Sequence, residues 1–469
     1  MPRLLALFPL VASLPSLAGS AASTSVPVPA RVMEETRQVL DQLVSVDTSH
    51  GRETDALAPV AERLRGAGLS AQVMESGPGR GNLVVRLRGD GSKRPLLLLT
   101  NVDVVPVEGQ PWTVPPFKVT EKDGWLYGRG VNDNKGHAAI FTALVLELAR
   151  ERTRLRRDVI LALTADEETG SAAGAAWVVK NHPELVDADL VLTGGGDTRL
   201  ARGGDKAELV GLGVAEKTFQ DYRISVKGPG GHSSMPSPAS DIVPRLARAL
   251  VKVGEVRFAA HALAATRTQV ELEAKGAAPA VGAAMRKLIA GKALTPAEDE
   301  VLASDPARNA LLRTTCVTTM LHASPQDNVL PTSATATANC RVMPDETTAG
   351  VRERLAAAIG DPAVTVELLG DFSSAPAMEL DGAFEKLYRD VAARHFPGAV
   401  VFPTLLAGAS DARFFRLKGI RAYNVVDTPF TEEESSSNHV AHGPDERRPV
   451  RWLAPTVAFL RDLTRSLAM

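Results

Sequence analysis

Two adjacent glutamates, Glu167 and Glu168, follow the apolar run Val159-Ile160-Leu161-Ala162-Leu163-Thr164. The run has strand length and composition, so the pair is expected at a strand end, where open α/β sheets place their ligands. Neighbouring carboxylates repel each other, and a cation or a proton-transfer reaction relieves that cost. One carboxylate can hold a divalent ion while its neighbour takes a proton from water. Three further segments bring compatible residues. Leu97-Leu98-Leu99-Thr100-Asn101-Val102-Asp103 is a second apolar strand running into polar groups. Gly128-Arg129-Gly130-Val131-Asn132-Asp133-Asn134-Lys135-Gly136 is a glycine-bearing loop that sets Asp133 near the start of an amphipathic stretch. His439-Val440-Ala441-His442-Gly443-Pro444-Asp445-Glu446-Arg447 lies near the C-terminus. Together they supply the oxygen and nitrogen ligands that zinc accepts.

These segments, in this order, resemble the zinc metallopeptidase family of glutamate carboxypeptidase, aminoacylase-1, acetylornithine deacetylase and succinyl-diaminopimelate desuccinylase. The resemblance runs from about Val32 to Leu467. The family pattern is a His-x-Asp at a strand end, a Gly-Arg-Gly-x-x-Asp-x-Lys-Gly loop, a Glu-Glu pair, a further acid and a late His-Gly. In typical members two zinc ions share a bridging aspartate. The resemblance implies that Asp133 is that aspartate, that Glu167 is the general base, and that Glu168 and His442 complete one metal site.

The chain departs from the pattern at two positions. Asn101 stands in place of the family's histidine, and Gly194, in Thr193-Gly194-Gly195-Gly196, stands in place of the further acid. In the family these two residues are the private ligands of one zinc, so both losses fall on the same site. One zinc ion is therefore expected rather than two; cobalt and manganese suit the same ligands. Asp197 and His439 are candidate compensating ligands. Three protein ligands plus water is a common catalytic zinc arrangement, in which the water's pKa falls to roughly 7. Asp103 is counted with the catalytic group, since in the family it orients the ligand histidine.

Other residues follow from the same resemblance. His232, in Gly228-Pro229-Gly230-Gly231-His232, matches a lid motif whose histidine commonly reaches a partner subunit's site and stabilises the developing oxyanion. Asn328 and Arg341 match substrate-contacting positions, the arginine suiting a bidentate clamp on a carboxylate. Gly408, in Gly408-Ala409-Ser410-Asp411-Ala412-Arg413, borders the substrate pocket. His137 is read as structural.

The elements that must position these groups divide into an α/β architecture. Residues 30–214 and 375–469 are expected to form a discontinuous catalytic domain with a mainly parallel sheet. An α+β lid and dimerisation domain, residues 215–374, is inserted in βαββαβ order, with an Ala-rich helical stretch at 259–311 assigned to it. The two cysteines, Cys316 and Cys340, flank a hairpin centred near Asn328, which sets them opposite each other. A disulfide and a pair of buried thiols both fit that placement.

Length and charge set the remaining bounds. A chain of 469 residues exceeds one ordinary domain. The net charge of −2 and aromatic content of 4% argue against a nucleic-acid partner. Residues 1–22, with Arg3 before an apolar stretch and small residues to Ala22, read as a signal peptide too short for a transmembrane span. The expectation is an exported protein, periplasmic or secreted, that forms a homodimer and hydrolyses peptide or N-acyl amino-acid amide bonds. The alternative is a catalytically silent relative that binds a peptide or amino-acid derivative.

Overall fold

The apolar runs that lead into the acidic residues lie side by side in one sheet. The computed structural model describes residues 27–200, 206–370, 374–431, 434 and 441–469. The signal-peptide segment and His439 lie outside the described residues. The nine-stranded sheet has the order Gln72–Glu75, Gly81–Leu87, Val159–Thr164, Leu96–Asn101, Leu190–Gly196, Arg421–Val426, Ala207–Glu216, Val400–Leu406, with Thr198–Leu200 also paired to Ala207–Glu216. Its centre, from Val159–Thr164 to Arg421–Val426, is parallel, and an antiparallel pair flanks it on each side, Gly81–Leu87 on Val159–Thr164 and Ala207–Glu216 on Arg421–Val426.

Strand alternation divides the apolar residues between two cores. Leu96 and Leu98, with Val159, Leu161 and Leu163, face a core shared with the Ala30–Val44, Lys135–Arg150 and Val450–Ala468 helices. Leu97, Leu99, Ile160 and Ala162 face the opposite core, beneath Ala175–Asn181 and Ala412–Arg416. Both faces are covered, which is why these strands read as unbroken apolar runs. Asn101 pairs with Thr164 in register, so both strands end at the same level and open onto one crevice.

The inserted segment builds a second sheet. Its order is Thr315–His322, Ser333–Val342, Thr218–Lys227, Val364–Leu369, all antiparallel. Helices Ile242–Glu255 and Thr348–Ile359 bury its inner face over Tyr222, Ile224, Ala336, Ala338 and Val342. The βαββαβ order is present. Cys316 lies directly opposite Cys340, and the two are joined as a disulfide.

The Ala-rich stretch departs from its expected placement. Its helices, Arg267–Gly276, Pro279–Ile289, Pro296–Ala303 and Pro306–Leu312, lie within the insertion in chain order. They pack instead on the edge of the large sheet. Leu263, Val270, Met285 and Leu302 join that sheet's core, and the Gln269 amide oxygen accepts from Thr404 Oγ1 at 3.2 Å and Leu405 N at 3.3 Å. Burial of these apolar faces decides their home; position in the chain does not. A polar seam ties the two units together. Lys217 Nζ donates to the carbonyls of Ala310 and Arg313, at 2.9 and 2.6 Å. From the Ala-rich stretch, His261 Nε2 pairs with Asp345 Oδ2, just beyond the Ser333–Val342 strand, at 2.9 Å.

Candidate metal centre and active site

Three of the expected residues converge. Asp133, Glu168 and His442 present ligand atoms that lie within 4.8 Å of one another, and this is the group of that kind among the described residues. His442 Nε2 is 3.2 Å from Asp133 Oδ2 and 3.2 Å from Glu168 Oε2. Each arrives from a different element. Asp133 precedes the Lys135–Arg150 helix, Glu168 lies in the single turn Glu167–Thr169 that follows the Val159–Thr164 strand, and His442 lies in the loop before Arg447–Pro449.

The donor set suits a divalent cation. Hydrogen bonds to Asp133 and Glu168 push the His442 imidazole up to about 11. Two carboxylates that hold a proton so firmly on one nitrogen focus the negative potential a cation seeks. The other oxygen of Glu168, Oε1, is buried with no hydrogen-bond partner. A carboxylate oxygen in that condition is costly unless an ion uses it.

Glu167 lies beside this group on the same turn. Burial, then the charges of Asp411, Glu168, Asp103 and Asp133, push its carboxyl well above the ordinary range. Asp411, which sequence reasoning named only as part of a pocket border, is buried below. It accepts from Thr164 Oγ1 at 2.9 Å and Ser171 Oγ at 2.5 Å, and burial raises it to about 6.

Asp103 lies against the turn that carries Glu167 and Glu168. It is buried and accepts from Asn101 Nδ2 at 3.2 Å and from the backbone N–H of Glu168 at 3.0 Å. Through its other oxygen, Oδ2, it supports the turn that carries the acid pair. Asn101 points its amide nitrogen toward Asp103, and Gly194 contributes no side chain. Asp197 is held by Arg199, with Nε at 2.7 Å, and does not join the cluster. Among the described residues, Asn101, Gly194 and Asp197 form no second cluster of ligand atoms.

The loops that carry Asp133 and His442 are clasped by a pair that sequence reasoning missed. Glu446 Oε1 accepts from the backbone N–H groups of Gly130, Asn132 and Asp133 at 3.1, 3.0 and 3.1 Å. Its Oε2 accepts from Arg129 Nη1 at 2.7 Å. Arg129 Nη2 in turn donates to the carbonyl of His442 at 3.2 Å and to Gln110 Oε1 at 2.6 Å. Both charges are fully buried. The only signal in the sequence was an Arg and a Glu inside motifs already quoted, which reads as solvated charge.

The inserted unit places its residues less uniformly. Arg341, on the Ser333–Val342 strand, lies within electrostatic reach of Glu167, its guanidinium 5.0 Å from the Phe219 ring centre. Gly408 lies at the bend after the Val400–Leu406 strand, close to Leu406. His232 and Asn328 are exposed. The His232 ring accepts from Ser234 N at 3.1 Å, and the Asn328 carbonyl accepts from Ser233 N at 3.1 Å. Neither joins the acid cluster within this chain.

The comparisons with known proteins agree with this geometry. A model of the family described as Peptidase family M20/M25/M40 matches residues 97–466. The probable carboxypeptidase S-like 2 of Dictyostelium discoideum is 29% identical over 397 residues, covering 82% of this chain and 74% of the relative. The N-fatty-acyl-amino acid synthase/hydrolase PM20D1 of Mus musculus is 27% identical over 461 residues, covering 92% of this chain and 88% of the relative. Among solved structures, the M20 family metallo-carboxypeptidase Sso-CP2 from Sulfolobus solfataricus superposes with a TM-score of 0.67 at 18% identity, covering 92% and 98% of the two chains, a likeness of fold. On the span of that family match, the chain belongs to peptidase family M20/M25/M40 and is a metal-dependent hydrolase.

Proposed function

We propose that the chain hydrolyses the amide bond of a small peptide or N-acyl amino acid, with one zinc ion held by Asp133, Glu168 and His442 and with Glu167 as general base. The observation that carries this is the placement of Glu167 on the same turn as Glu168, next to three convergent ligand atoms. When bound, the ion supplies Lewis acidity to a water and to the scissile carbonyl. Glu167 takes the proton from the attacking water and delivers it to the leaving nitrogen. Its raised pKa suits a group that must hold a proton between those two steps. Arg341 receives the substrate carboxylate on the far side of Glu167. The names of the relatives, a carboxypeptidase and an N-fatty-acyl-amino acid synthase/hydrolase, support an amide next to a carboxylate as the common substrate feature.

Support for a homodimer comes from the small sheet. Its edge strand Thr315–His322 exposes Val317, Met320 and Leu321, at 60%, 52% and 62%. An exposed apolar edge strand is a pairing surface. A dimer formed there would carry His232 toward a neighbour's site. Export is supported by the N-terminal pattern and by the Cys316–Cys340 disulfide, which persists in oxidising compartments. No helix among the described residues is long and apolar enough to cross a membrane.

The test is zinc content and hydrolysis of a panel of dipeptides and N-acyl amino acids on the same preparations. Glu167→Ala should keep its zinc and lose turnover, while Glu168→Ala and His442→Ala should lose both. Full activity in Glu167→Ala would refute the mechanism. The silent-binder reading draws on Asn101 and Gly194, and it would gain if the unaltered, zinc-loaded chain cleaved nothing in the panel.

A further inference from the structure

Gly194 stands on the Leu190–Gly196 strand, where the family's second zinc takes an acid. Its backbone does not require glycine. The next residue, Gly195, has φ +94, in the left-handed region, but Gly194 is not among the positive-φ residues. Space is what Gly194 supplies. A Cβ built there would lie 2.6 Å from His137 Nδ1, 2.7 Å from Cε1 and 2.8 Å from Cγ. All three atoms belong to one rigid ring, so the clash cannot be relieved by swinging a flexible chain end.

The ring itself is fixed. His137 is fully buried on the first turn of the Lys135–Arg150 helix, which starts just after Asp133. Its Nδ1 pairs with Asn134 Oδ1 at 2.8 Å and its Nε2 with the carbonyl of Val426 at 3.3 Å. Phe141 packs against it with ring centres 5.9 Å apart. Both nitrogens lie within hydrogen-bond distance of oxygens, which fixes the orientation of the ring. It fills volume and satisfies the ends of two neighbouring elements.

We infer that His137 and Gly194 are a matched pair in which the imidazole occupies the side-chain space of the absent acid, closing the site to a second ion. The inference rests on the one-ion reading above and explains how that state is built. Loss of the two ligands alone would leave a polar hollow beside Asp133; the ring fills it and keeps the strand and helix packed. Restoring the ligands is therefore not enough to restore a second ion.

Two measurements on the full chain test this. The first is a double-mutant cycle of Gly194→Ala and His137→Ala, read by thermal unfolding with the chain stripped of metal. Gly194→Ala should lower the midpoint by several degrees when His137 is present and by less than half as much in the His137→Ala background. If Gly194→Ala leaves no soluble protein, recovery of soluble chain on adding His137→Ala reads the same coupling. An equal loss in both backgrounds overturns the inference. The second is zinc per chain by elemental analysis after equilibrium dialysis. The Asn101→His/Gly194→Glu variant should hold one zinc, and adding His137→Ala should bring the ratio to two. Two zincs in the former variant, with His137 in place, would overturn the inference while leaving the one-ion reading of the native chain intact. Two tightly held zincs in the native chain would overturn the one-ion reading itself.

Discussion

Replacing Glu446 with glutamine should disable the metal centre without touching a ligand. Glu446→Gln is nearly isosteric. Its amide oxygen can keep the three N–H bonds from Gly130, Asn132 and Asp133. Its amide nitrogen, however, replaces the oxygen that accepts from Arg129 Nη1 at 2.7 Å. A donor then faces a donor, and a guanidinium with no exposed surface loses its counter-charge. Breaking a buried pair from one side costs about 3–5 kcal/mol, a large part of the roughly 5–15 kcal/mol that holds a typical protein folded. The damage should reach both Asp133, whose N–H rests on Glu446, and His442, whose carbonyl rests on Arg129. Groups that orient metal ligands typically contribute 10–100-fold to affinity, so zinc binding should weaken by about that factor. By linkage, saturating zinc should then stabilise the variant by roughly 1.4–2.7 kcal/mol less than it stabilises the unaltered chain. Urea unfolding with chelator and with excess zinc, alongside competition against a chromophoric chelator, measures both quantities. A stability loss below about 1 kcal/mol would refute the buried-pair argument. An unchanged zinc affinity would refute the claim that the pair positions the ligands. Adding Arg129→Met to Glu446→Gln should recover part of the stability, because no unpaired charge remains, but not the zinc affinity.

Other outcomes follow from the same geometry. Arg341→Met should raise KM for substrates with a free carboxylate by about 10–100-fold, the worth of a charge-assisted bond of roughly 1.5–3 kcal/mol, and leave zinc content unchanged; an unchanged KM would remove the clamp. Removing the disulfide with Cys316→Ala/Cys340→Ala, which opens a loop of sequence separation 24, should lower stability by about 3.5 kcal/mol on the chain-entropy estimate. The loss should appear in the unfolding of the small sheet, and a loss confined to the large sheet would contradict it. Burial pulls Lys217 down from 10.5 to about 7, so between those values the unfolded chain binds more protons and this group makes stability rise with pH. Below about 7 the residue is charged in both states and its full penalty stands. Lys217→Met should flatten the rise of the unfolding midpoint between about pH 7 and 10, and an unchanged slope would refute the assignment.

Much of the site was legible in the sequence because its signals are local. An apolar strand that ends in an acid pair, or a glycine loop that ends at a helix start, carries its own position. A hairpin centred near Asn328 set Cys316 opposite Cys340, but whether the two are joined stayed open in the sequence. What escaped depends on contacts between distant segments. Glu446 sits four residues after His442 and looks like a surface acid; only its burial against residues 129–133 reveals the clasp. Gly194 read as a missing ligand, yet its need for space comes from a ring on another element. Asp103 was placed by its motif, but its bond to the Glu168 backbone N–H joins two segments that are far apart in the chain. The apolar residues of the Ala-rich stretch carry no mark of which core they enter, and chain order assigned them to the wrong one.

That last placement changes the mechanics of the molecule. An insertion joined by two strands could swing like a door. Here the chain passes between the two units four times, because the helices from Arg267 to Leu312 leave the small sheet to dock on the large one and then return. The Lys217 side chain ties two of those passages together, joining its own strand-to-strand crossing to the 310–313 segment where the helices return. Four tethers with a tie between two of them act as a bracket, not a hinge. The gap between Glu167 and Arg341 should therefore behave as a jaw of fixed opening, sorting substrates by the length between their amide and their carboxylate instead of closing down to fit each one.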